Sequence, residues 1–482
     1  MDDHGGDHLA QHLNLSIDRD SRETLAAQLR SAVRRQIEQG TLRPGARLPS
    51  SRQLAADLGV SRSVAVEAYE QLCAEGYLIS RRGSGTLVAA AARAEIGSAL
   101  TPDERTASAE VVDLRTGGSD VSTFPRQDWV RCLSSVVSSA GRRELGYGPP
   151  SGLPAARHTL VGYLGRVRAV RTRPEHLMIT SGFAQGLAIL CRVLRDAGHD
   201  RLGVEDPGHP GEWEFIAEAG LRPVGIPVDG DGIRVDDLAA SGVRAVLTTP
   251  ASQFPTGAVL SAGRRKQLVA WAAAVDGYII EDDFNAGFVA PAQRMPALQS
   301  LAPDRVVYAG SASKVLAPAL RLGWVATPPA LTGPAERIRA GWDIGCSGLE
   351  QLTFARMIDI GAFDRHLRRL RAEIQERRQA VHHFVNRRLP GVTMPGGQSG
   401  PQTHLYLPRD CTEQALVQAA RRHSVLVRGG RYYAVHQDDR PPALVIGHAG
   451  LPGATLNRGL AAIAAAYRDV TARPPNGGGD RL

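Results

Sequence analysis

The sequence predicts an α/β protein with a small helical domain at its N-terminus and a large domain built on a mostly parallel sheet. After residue 111, short apolar runs such as "HLMIT", "RLGVE", "RAVLTTP", "GYIIEDD" and "RVVYAG" alternate with helical patterns. Strands separated by helices are typical of a mostly parallel sheet. Before residue 90, helical repeats lead into a glycine-rich hairpin. The chain has 482 residues, which is enough for two or three domains.

The composition divides the chain into four segments. Residues 14–89 are compact and helix-rich, and residues 111–472 carry the α/β pattern. Between them, residues 90–110 are small, polar and aperiodic, which predicts a flexible linker. The last segment, residues 473–482, has the sequence "RPPNGGGDRL" and is expected to be disordered.

The composition also argues against membrane, secreted and zinc-binding proteins. No run of eighteen apolar residues occurs, so no membrane helix is expected. The acidic, polar start "MDDHGGDHLAQHL" does not resemble a signal peptide. Five scattered cysteines without a CxxC pair indicate reduced thiols in a cytoplasmic protein and no metal site. The net charge of +8 fits either a solvated basic surface or a polyanionic partner.

Three helices are predicted in the N-terminal region. Apolar residues recur every four positions from Leu25 to Ile37, which predicts one amphipathic helix. Ser50 or Ser51 can cap a second helix that ends at Gly59. A third helix starts at Ser61, and two short helices joined by a tight turn form a helix-turn-helix. The following stretch "YLISRRGSGTLVA" predicts two strands around a glycine-rich turn, which is a wing.

The charge of this region favours double-stranded DNA as its partner. Residues 21–90 contain ten arginines against six acidic residues. Arg62, at the start of the third helix, can pair with guanine O6 and N7. Ser61 and Ser63 can bond phosphates through hydroxyl and helix N–H groups, and Arg52 can reach a phosphate or a base. The alternative is that these arginines only solvate a small helical domain.

The stretch "GTLRPGARLPSSRQLAADLGVSRSVAVEAYEQLCAEGYLISRRGSGTLV" resembles the GntR-type winged helix-turn-helix almost position by position. The resemblance implies that this region binds operator DNA. The DNA-contacting positions that it implies are Arg52, Ser61, Arg62, Ser63, Gly83, Ser84 and Gly85.

A lysine in the large region indicates covalent chemistry. The chain has only two lysines, and Lys314 follows the apolar stretch "RVVYAG" in a run of small residues. A lysine at a strand end can form a Schiff base with an aldehyde cofactor, and partial burial lowers its pKa. Ser311 and Arg321 could bind a phosphate group. Lys266, inside "AGRRKQLVAWAA", is expected to be an ordinary surface residue.

Three further stretches supply groups for the same chemistry. "LMITSGFAQGLAIL" predicts a strand, a turn and a helix whose first N–H groups, from Gly182 and Phe183, bind an anion. "GYIIEDDF" places acidic residues at a strand's carboxyl end, where an α/β sheet keeps its ligand chemistry. One Asp there can hold a pyridine nitrogen protonated. His209, in "VEDPGHPG", can stack on a flat ring.

These stretches together resemble the fold-type I aminotransferases that use pyridoxal 5′-phosphate. The resemblance runs from "VVDLRTGGSD" through "LGYGPPSGLPAARHTLVGYL", "TTPASQFPTG" and "IEDDF" to a small C-terminal subdomain. It implies that Lys314 is the Schiff-base lysine, Asp282 the partner of the pyridine nitrogen and His209 the ring-stacking residue. It further implies that Tyr147 reaches the phosphate across a dimer interface. The phosphate ligands that it implies are Ser311, Arg321, Gly182 and Phe183.

A GntR-type region followed by an aminotransferase-like domain resembles the MocR-type transcriptional regulators. That resemblance implies a domain-swapped homodimer, in which each DNA-binding region packs against the partner's large domain. The chain departs from the family at several positions. Phe284 replaces a tyrosine that bonds the cofactor's phenolic oxygen, and Ser252 replaces a histidine. The stretch "ALVIGHAGL" lacks an arginine for a substrate carboxylate, although Arg428 and Arg431 lie nearby in sequence.

The sequence therefore favours a regulator that binds pyridoxal phosphate at Lys314 and changes its hold on DNA. Because the carboxylate-binding arginine is absent from its usual stretch, the cofactor itself is the favoured signal, with vitamin B6 or amino-acid metabolism genes as targets. The second hypothesis is that the regulator senses an amino acid such as γ-aminobutyrate, or its adduct with the cofactor. An active aminotransferase tethered to DNA and a scaffold with an empty pocket remain alternatives.

Overall fold

The computed structural model describes two compact units, residues 1–106 and 107–482. The predicted linker, residues 90–110, and the predicted tail, residues 473–482, lie outside the described residues, and so do Gly83 and Ser84. The described residues are 15, 17–19, 21, 23–81, 85–89, 111–285, 287–289, 295–394, 400–436 and 440–472.

The smaller unit contains three helices and one hairpin in its described part. Thr24 caps the first helix and Ser50, rather than Ser51, caps the second, each through its side-chain oxygen. Gly59 ends the second helix in the left-handed region, with φ at 61°. The elements are α1 (Leu25–Glu38), α2 (Ser51–Leu58), α3 (Arg62–Ala74), β1 (Leu78–Arg81) and β2 (Gly85–Val88).

One hydrophobic core holds this unit together. The apolar stripe of α1 supplies Leu29, Val33 and Ile37, which pack with Leu54 of α2 and Leu72 of α3. Strands β1 and β2 are antiparallel neighbours. The helices therefore bury one face each, and the first turn of α3 is exposed.

The larger unit is built on an eight-stranded sheet with a second, smaller sheet near its C-terminus. Its strands are β3 (Val112–Asp113), β4 (Leu177–Thr180), β5 (Arg201–Asp206), β6 (Arg222–Asp229), β7 (Gly232–Ile233), β8 (Ala245–Thr248), β9 (Tyr278–Asp282), β10 (Val306–Ser311), β11 (Gly323–Ala326), β12 (Gln402–Tyr406), β13 (Val425–Leu426), β14 (Arg428–Gly429) and β15 (Ala443–Gly447). Its helices are α4 (Arg126–Ser139), α5 (Arg142–Leu145), α6 (Pro154–Arg168), α7 (Phe183–Asp196), α8 (Pro210–Glu218), α9 (Val235–Ala240), α10 (Ala262–Ala274), α11 (Pro329–Trp342), α12 (Gly348–Asp359), α13 (Ala362–Arg388), α14 (Glu413–Arg422) and α15 (Gly453–Thr471).

The order of strands in the large sheet is β4-β11-β10-β9-β8-β5-β6-β7. Strands β10, β9, β8, β5 and β6 pair in parallel, whereas β11 and β7 are antiparallel to their neighbours. Strands β4, β8 and β11 are buried along their whole length, as expected for a sheet covered on both faces. The carboxyl ends of the central parallel strands therefore share one edge, where open α/β sheets bind ligands.

The C-terminal part forms the small subdomain that the sequence predicts. Strands β12, β15 and β14 form an antiparallel sheet. Strand β3, at the start of the large unit, pairs in parallel with β13, and Val112 and Leu114 enter the small subdomain's core. The first strand of the large unit therefore packs with the small subdomain near its C-terminus.

No helix in the described ranges is long and apolar enough to cross a membrane. All five cysteines lie in described parts of the chain, and each is a free thiol.

Candidate functional site

A cavity of about 570 Å³ lies at the carboxyl edge of the large sheet. One wall comes from the ends of β5, β8, β9 and β10 with the starts of α7 and α8, and the other comes from the small subdomain and residues 113–118. The fold brings most of the predicted cofactor-binding residues to this cavity. Those that line it are Phe183, His209, Asp282, Phe284, Ser311, Lys314 and Arg321.

Lys314 follows β10 and is half-buried in the cavity wall. Its Nζ donates a hydrogen bond to the Gly117 carbonyl oxygen at 2.6 Å. Burial lowers the pKa of this amine, while the nearby Asp282 carboxyl opposes the shift. A lowered pKa raises the fraction of neutral amine, which is the form that attacks a carbonyl carbon.

Asp282 ends β9 with its side chain facing the cavity, and the residue is only 5% exposed. Its Oδ1 has no hydrogen-bond partner among the described residues. Burial raises the pKa of this carboxyl well above its usual range, and the acids Asp283 and Glu205 raise it further, against the effect of Lys314. A buried carboxyl with an unpaired oxygen is stabilised by any N–H donor placed beside it.

The carboxylates of the two acids that flank Asp282 form hydrogen bonds inside the protein. Asp283 accepts hydrogen bonds from Arg168 Nε and the Tyr308 hydroxyl, both at 2.6 Å. Glu281 accepts two backbone N–H groups at 2.9 Å each. Neither residue lines the cavity, so Asp282 is the acid of the "EDD" run that can face a ligand.

Arg321 lines the cavity close to the start of α7. It follows a short 3₁₀ turn with φ at 47°, and its Nη2 donates to the Ser181 carbonyl oxygen at 2.7 Å. Its guanidinium packs against Gly182, where a Cβ would lie 3.2 Å from Nη2. Arg321 has no acidic partner among the described residues. Beside it, the start of α7 presents the N–H end of a helix dipole, which favours an anion.

Two of the predicted cofactor ligands, Gly182 and Tyr147, do not line the cavity. Gly182 caps α7 with φ at 87° and lies against Arg321, yet its atoms are not in the cavity wall. Tyr147 is 94% exposed and contributes nothing to the cavity of its own chain.

Aromatic rings form one side of the cavity. His209 begins α8, and its ring centroid lies 5.3 Å from that of Phe254. Phe254 in turn contacts Phe284 and Tyr433 edge to face, at 6.0 and 5.4 Å between centroids. A flat ligand placed here meets the faces and edges of these rings. Of the four rings, Tyr433 carries a hydroxyl, which bonds Thr116 Oγ1 at 2.9 Å.

A buried acid that no motif of the sequence indicated also lines the cavity. This acid is Glu205 of β5. Its carboxylate accepts hydrogen bonds from the hydroxyls of Thr248 and Thr249 at 2.5 and 2.6 Å. Burial raises the pKa of this carboxyl, and the threonine hydrogen bonds oppose the rise. The quoted stretch "TTPASQFPTG" contained both threonines, but nothing in it indicated their acidic partner, which is more than forty residues away.

Two arginines lie in the cavity wall formed by residues 113–118 and the small subdomain. Arg115 is held by Asp113 through hydrogen bonds at 2.6, 2.9 and 3.1 Å. Arg428 stacks on Tyr432, with 3.8 Å between Cζ and the ring centroid. Arg431, the other arginine near this stretch, is exposed and does not line the cavity.

The predicted DNA-binding residues of the smaller unit lie on exposed positions. Arg52 is in the first turn of α2, and Ser61, Arg62 and Ser63 are at the start of α3. Ser61 makes no side-chain capping bond, and its hydroxyl instead contacts that of Ser63 at 2.8 Å. These hydroxyls are therefore available to a phosphate.

The wing was predicted to contribute Gly83, Ser84 and Gly85. The first two lie outside the described residues. Gly85 begins β2 with φ at 82°, and a Cβ there would lie 3.2 Å from Arg47 Nε. Arg47, which no sequence pattern indicated, thus lies beside the first residue of β2.

Two protein families match this chain. Residues 25–88 match the family described as bacterial regulatory proteins, gntR family. Residues 109–463 match the family described as aminotransferase class I and II.

Several curated proteins are similar along most of their length. The probable rhizopine catabolism regulatory protein MocR of Rhizobium meliloti is 30% identical over 94% of this chain and 96% of its own. The pyridoxine biosynthesis transcriptional regulator PdxR of Corynebacterium glutamicum is 33% identical over 74% of this chain and 78% of its own. The transcriptional regulator TauR of Rhodobacter capsulatus is 30% identical, over 92% and 97%.

Solved aminotransferase structures share the fold of the larger unit. A kynurenine aminotransferase from Pyrococcus horikoshii superposes with a TM-score of 0.68 at 23% identity, covering 75% of this chain and 92% of its own. The α-aminoadipate aminotransferase LysN from Thermus thermophilus gives 0.67 at 23% identity, covering 76% and 94%. With its gntR-family region, its class I and II aminotransferase region and these regulators as relatives, the chain belongs to the MocR-type transcriptional regulators.

Proposed function

We propose that this regulator binds operator DNA through the start of α3 and the wing, and that pyridoxal 5′-phosphate held at Lys314 changes its affinity for that DNA. The observation that carries the proposal is the buried, unpaired Oδ1 of Asp282 in the same cavity as Lys314. An unpaired oxygen on a buried carboxyl costs free energy unless a ligand supplies the donor.

The residues present fit this cofactor. The pyridine N–H would satisfy Asp282 Oδ1, and Arg321 with the start of α7 would receive the phosphate. His209 and Phe254 supply ring surfaces beside the pyridine. When bound, the cofactor supplies an aldehyde that bonds covalently to a lysine amine and a ring that withdraws electrons. Lys314 is the lysine of this cavity.

Ligand occupancy at Lys314 competes with a contact to the start of the large unit. Lys314 Nζ donates to the carbonyl oxygen of Gly117, and Ser119 Oγ donates to the carbonyl oxygen of Ser313. An amine that bonds covalently to another group gives up hydrogens, so the contact with Gly117 weakens. Residues 111–119 follow directly on the predicted linker. A change in this segment is therefore one means by which occupancy alters the DNA-binding unit, as allosteric coupling requires.

The chain also presents surfaces suited to a homodimer. Val130 and Val137 lie seven residues apart on one face of α4, and both are exposed. Leu145 and Tyr147 are exposed on the following segment. We propose that a second copy covers this surface and that Tyr147 enters the partner's phosphate site. The domain-swapped placement of the DNA-binding units is part of the same proposal.

We propose regulation rather than turnover as the role of the cavity. Phe284 offers no hydroxyl to the cofactor's phenolic oxygen, and the neighbouring Phe254 offers none either. Multiple rounds of amino-group exchange between an amino acid and a keto acid would overturn this part of the proposal. The relative named for pyridoxine biosynthesis supports vitamin B6 genes as targets.

The experiment compares the chain's two lysines. Wild type, Lys314→Ala and Lys266→Ala are each incubated with pyridoxal phosphate, reduced with borohydride and analysed by peptide mass spectrometry. We expect a pyridoxyl label on Lys314 in wild type and in Lys266→Ala, and no site-specific label in Lys314→Ala. Lys266 is exposed on α10 and controls for surface reactivity.

The regulatory half of the proposal is tested on DNA. Affinity for the chain's operator is measured with and without pyridoxal phosphate at one fixed salt concentration. We expect a change in wild type and in Lys266→Ala, and none in Lys314→Ala. Equal affinities with and without the cofactor in wild type would refute cofactor sensing.

A further inference from the structure

We infer that Gln402 of β12 is a further cofactor-binding residue, whose side-chain amide donates a hydrogen bond to the phenolic oxygen of pyridoxal phosphate. The inference deepens the proposed function and rests on it. In that proposal, Arg321 receives the phosphate, Asp282 the ring nitrogen and Lys314 the aldehyde. The phenolic oxygen is the polar group of the cofactor that these assignments leave without a partner.

Two buried side-chain atoms of the cavity wall lack a hydrogen-bond partner among the described residues. They are Asp282 Oδ1 and Gln402 Nε2, on residues that are 5% and 7% exposed. The first atom is an acceptor and the second is a donor. The ring of pyridoxal phosphate offers the complementary pair, a protonated nitrogen that donates and a phenolic oxygen that accepts. One ligand can therefore satisfy both atoms, and an unpaired polar atom in the interior costs free energy.

The whole side-chain amide of Gln402 is available to a ligand. Neither its oxygen nor its nitrogen forms a hydrogen bond with any described residue. Rotation about the last side-chain bond can therefore turn the N–H groups toward an acceptor without breaking an existing bond. Gln253, another buried glutamine of the larger unit, differs in this respect. Its Nε2 donates to the Pro207 carbonyl oxygen at 2.7 Å, and its Oε1 accepts from Thr256 Oγ1 at 2.6 Å.

The amide of Gln402 lies close to the loop that carries Phe284. A Cβ on Gly400 would lie 3.9 Å from Gln402 Oε1 and 3.5 Å from Asn285 Nδ2. Asn285 directly follows Phe284, which lines the cavity. The side chain of Gln402 therefore extends from the small subdomain toward the wall of the large sheet. It ends near a residue that offers a phenyl ring and no hydroxyl.

The register of the small sheet leaves room for this amide. Gln402 begins β12 and pairs with Gly447 of β15, which has no side chain to cover the same face. A Cβ on Gly447 would lie 2.6 Å from the Arg115 carbonyl oxygen and 3.0 Å from Thr116 Cα. The segment of residues 113–118 therefore passes directly over this position, and the side chain of Gln402 lies beside that segment.

Lys314 contacts the same segment. Its Nζ donates to the carbonyl oxygen of Gly117 at 2.6 Å, and Gly117 directly follows Thr116. On the pyridoxal ring, the phenolic oxygen and the aldehyde are attached to neighbouring carbon atoms. The oxygen must therefore lie near the lysine that bonds the aldehyde. Because Gln402 and Lys314 both border this segment, the amide of Gln402 is well placed for the oxygen.

Several hydroxyl groups of the cavity wall are engaged with other protein groups. Thr248 and Thr249 donate to Glu205, and the hydroxyls of Thr116 and Tyr433 bond each other at 2.9 Å. Tyr433 is the main rival for the phenolic oxygen, because a hydroxyl can rotate from one partner to another. The experiment must therefore separate the amide from this hydroxyl.

The test pairs one residue with one ligand atom, as in a double-mutant cycle. The ligands are pyridoxal phosphate and its deoxy analogue, in which hydrogen replaces the phenolic hydroxyl. Their dissociation constants are measured by absorbance titration of the full chain. The variants are Gln402→Leu, Gln402→Glu, Tyr433→Phe and Gln375→Leu. Gln375 is the matched control, because it is exposed on α13 and lies outside the cavity wall.

We expect the preference for pyridoxal phosphate over the analogue to be the same in wild type and Gln375→Leu. Gln402→Leu should reduce this preference by about 10-fold, as for the loss of a hydrogen bond to a charged group. It should leave the binding of the analogue unchanged. Gln402→Glu keeps the shape of the side chain but offers an acceptor in place of the donor, so the preference should fall further. Tyr433→Phe should keep the wild-type preference.

The pH dependence of the cofactor absorbance gives a second measurement. A donor stabilises negative charge on the phenolic oxygen, and without the donor this oxygen holds a neighbouring proton more tightly. In Gln402→Leu, the pH midpoint of the visible band should therefore rise by about one unit. Phe284→Tyr supplies a hydroxyl nearby, and adding it to Gln402→Leu should return the midpoint toward the wild-type value.

Two outcomes would overturn the inference. One is that Gln402→Leu keeps the wild-type preference, and the other is that Tyr433→Phe loses the preference instead. Either outcome is separable from failure of the proposed function, because labelling of Lys314 by pyridoxal phosphate is measured first on every variant. A chain that is labelled at Lys314 and responds to the cofactor on DNA, but whose preference does not depend on Gln402, refutes only the role of the amide.

Discussion

At the scale of single residues, the cavity is defined by groups whose bonding is incomplete. Lys314, Arg321 and Arg428 each present a cationic group toward it, and Asp282 presents an unpaired carboxyl oxygen. The neighbouring acid Asp283 is fully used by Arg168 and Tyr308. Adjacent residues of one acidic run therefore have different surroundings, because Asp282 faces the cavity and Asp283 is hydrogen-bonded in the interior.

The first residue-scale prediction concerns Asp282. Asp282→Asn keeps the shape of the side chain but removes the charge that would stabilise a protonated ring nitrogen. We expect pyridoxal phosphate affinity to fall by about 10- to 100-fold, as for the loss of a charge-assisted hydrogen bond. The dissociation constant is measured by titrating the cofactor absorbance, with Lys266→Ala as the control. An unaltered titration would remove Asp282 from the site.

The second residue-scale prediction concerns pH and His404 in the small subdomain. This ring is 8% exposed, its Nδ1 has no partner among the described residues, and burial lowers its pKa from 6.5 to about 4. The folded state disfavours protonation of His404. The contribution of the neutral ring to the free energy of unfolding is therefore fully present above the unfolded pKa of 6.5. It is lost progressively as the pH falls toward 4, by about 3 kcal/mol in total.

His404→Phe should make the denaturant midpoint of the larger unit less sensitive to a shift from about pH 7.5 to about pH 5. All five tryptophans lie after residue 107, so their fluorescence reports this unit alone. His158→Phe, at an exposed position on α6, is the control. The same pH dependence in wild type and His404→Phe would contradict the prediction.

At the scale of elements, α3 carries the prediction about DNA. Arg62→Ala removes an exposed guanidinium from the first turn of α3. We expect specific operator binding to weaken by about 1–3 kcal/mol and base choice to relax at one position. The measurements are fluorescence anisotropy and footprinting at one salt concentration. Arg35→Ala, an exposed arginine of α1, removes the same charge, and an equal loss in both variants would indicate a charge effect without base recognition.

The turn between α2 and α3 carries a second element-scale prediction. Gly59 has φ at 61°, and its carbonyl oxygen accepts a hydrogen bond from Arg19 Nη2 at 2.7 Å. Gly59→Ala forces an L-residue into the left-handed region, at a cost of about 1–2 kcal/mol. Faster hydrogen exchange in α2 and α3 is the expected result. Gly263→Ala is the control, because Gly263 is helical and a Cβ there meets nothing within 4 Å. Unchanged hydrogen-exchange rates in α2 and α3 of Gly59→Ala would show that the substitution causes no backbone strain.

At the scale of the whole molecule, Tyr147 tests the proposed dimer. Since Tyr147 is exposed and absent from its own cavity, we expect it to complete the site of a second copy. Tyr147→Ala alone should weaken cofactor binding, and Lys314→Ala alone should abolish the covalent label. In a mixed dimer of the two variants, one site combines both changes and the other is intact.

We therefore expect refolded mixtures of these variants to recover wild-type affinity at a fraction of the sites. The recovery is measured by cofactor titration, with light scattering to establish the oligomeric state. Mixtures that behave as the sum of the separate variants would show that Tyr147 does not act between chains.

The features that follow from the sequence alone are those set by short stretches of chain. The stripe from Leu25 to Ile37, a cap at Ser50 or Ser51 and the turn at Gly59 specify the helix-turn-helix, because periodicity and capping act within a few residues. The structure selects Ser50 as the cap. Motifs such as "SASKVLAPALRLGW" likewise placed Lys314 and Arg321 together. Their shared cavity follows from parallel strands ending at one edge.

Only the tertiary structure decided which side chains meet across long stretches of chain. The residues of the "EDD" run alone left the choice between its acids open, and only the resemblance implied Asp282. In the structure Asp282 rather than Asp283 faces the cavity because successive residues point to opposite faces, and the packing of Arg168 and Tyr308 decides which face is which. Arg428 joins the wall because β14 pairs with β15, and β3 reaches the small subdomain by pairing with β13. Such pairings join residues far apart in the chain, and no local propensity specifies them.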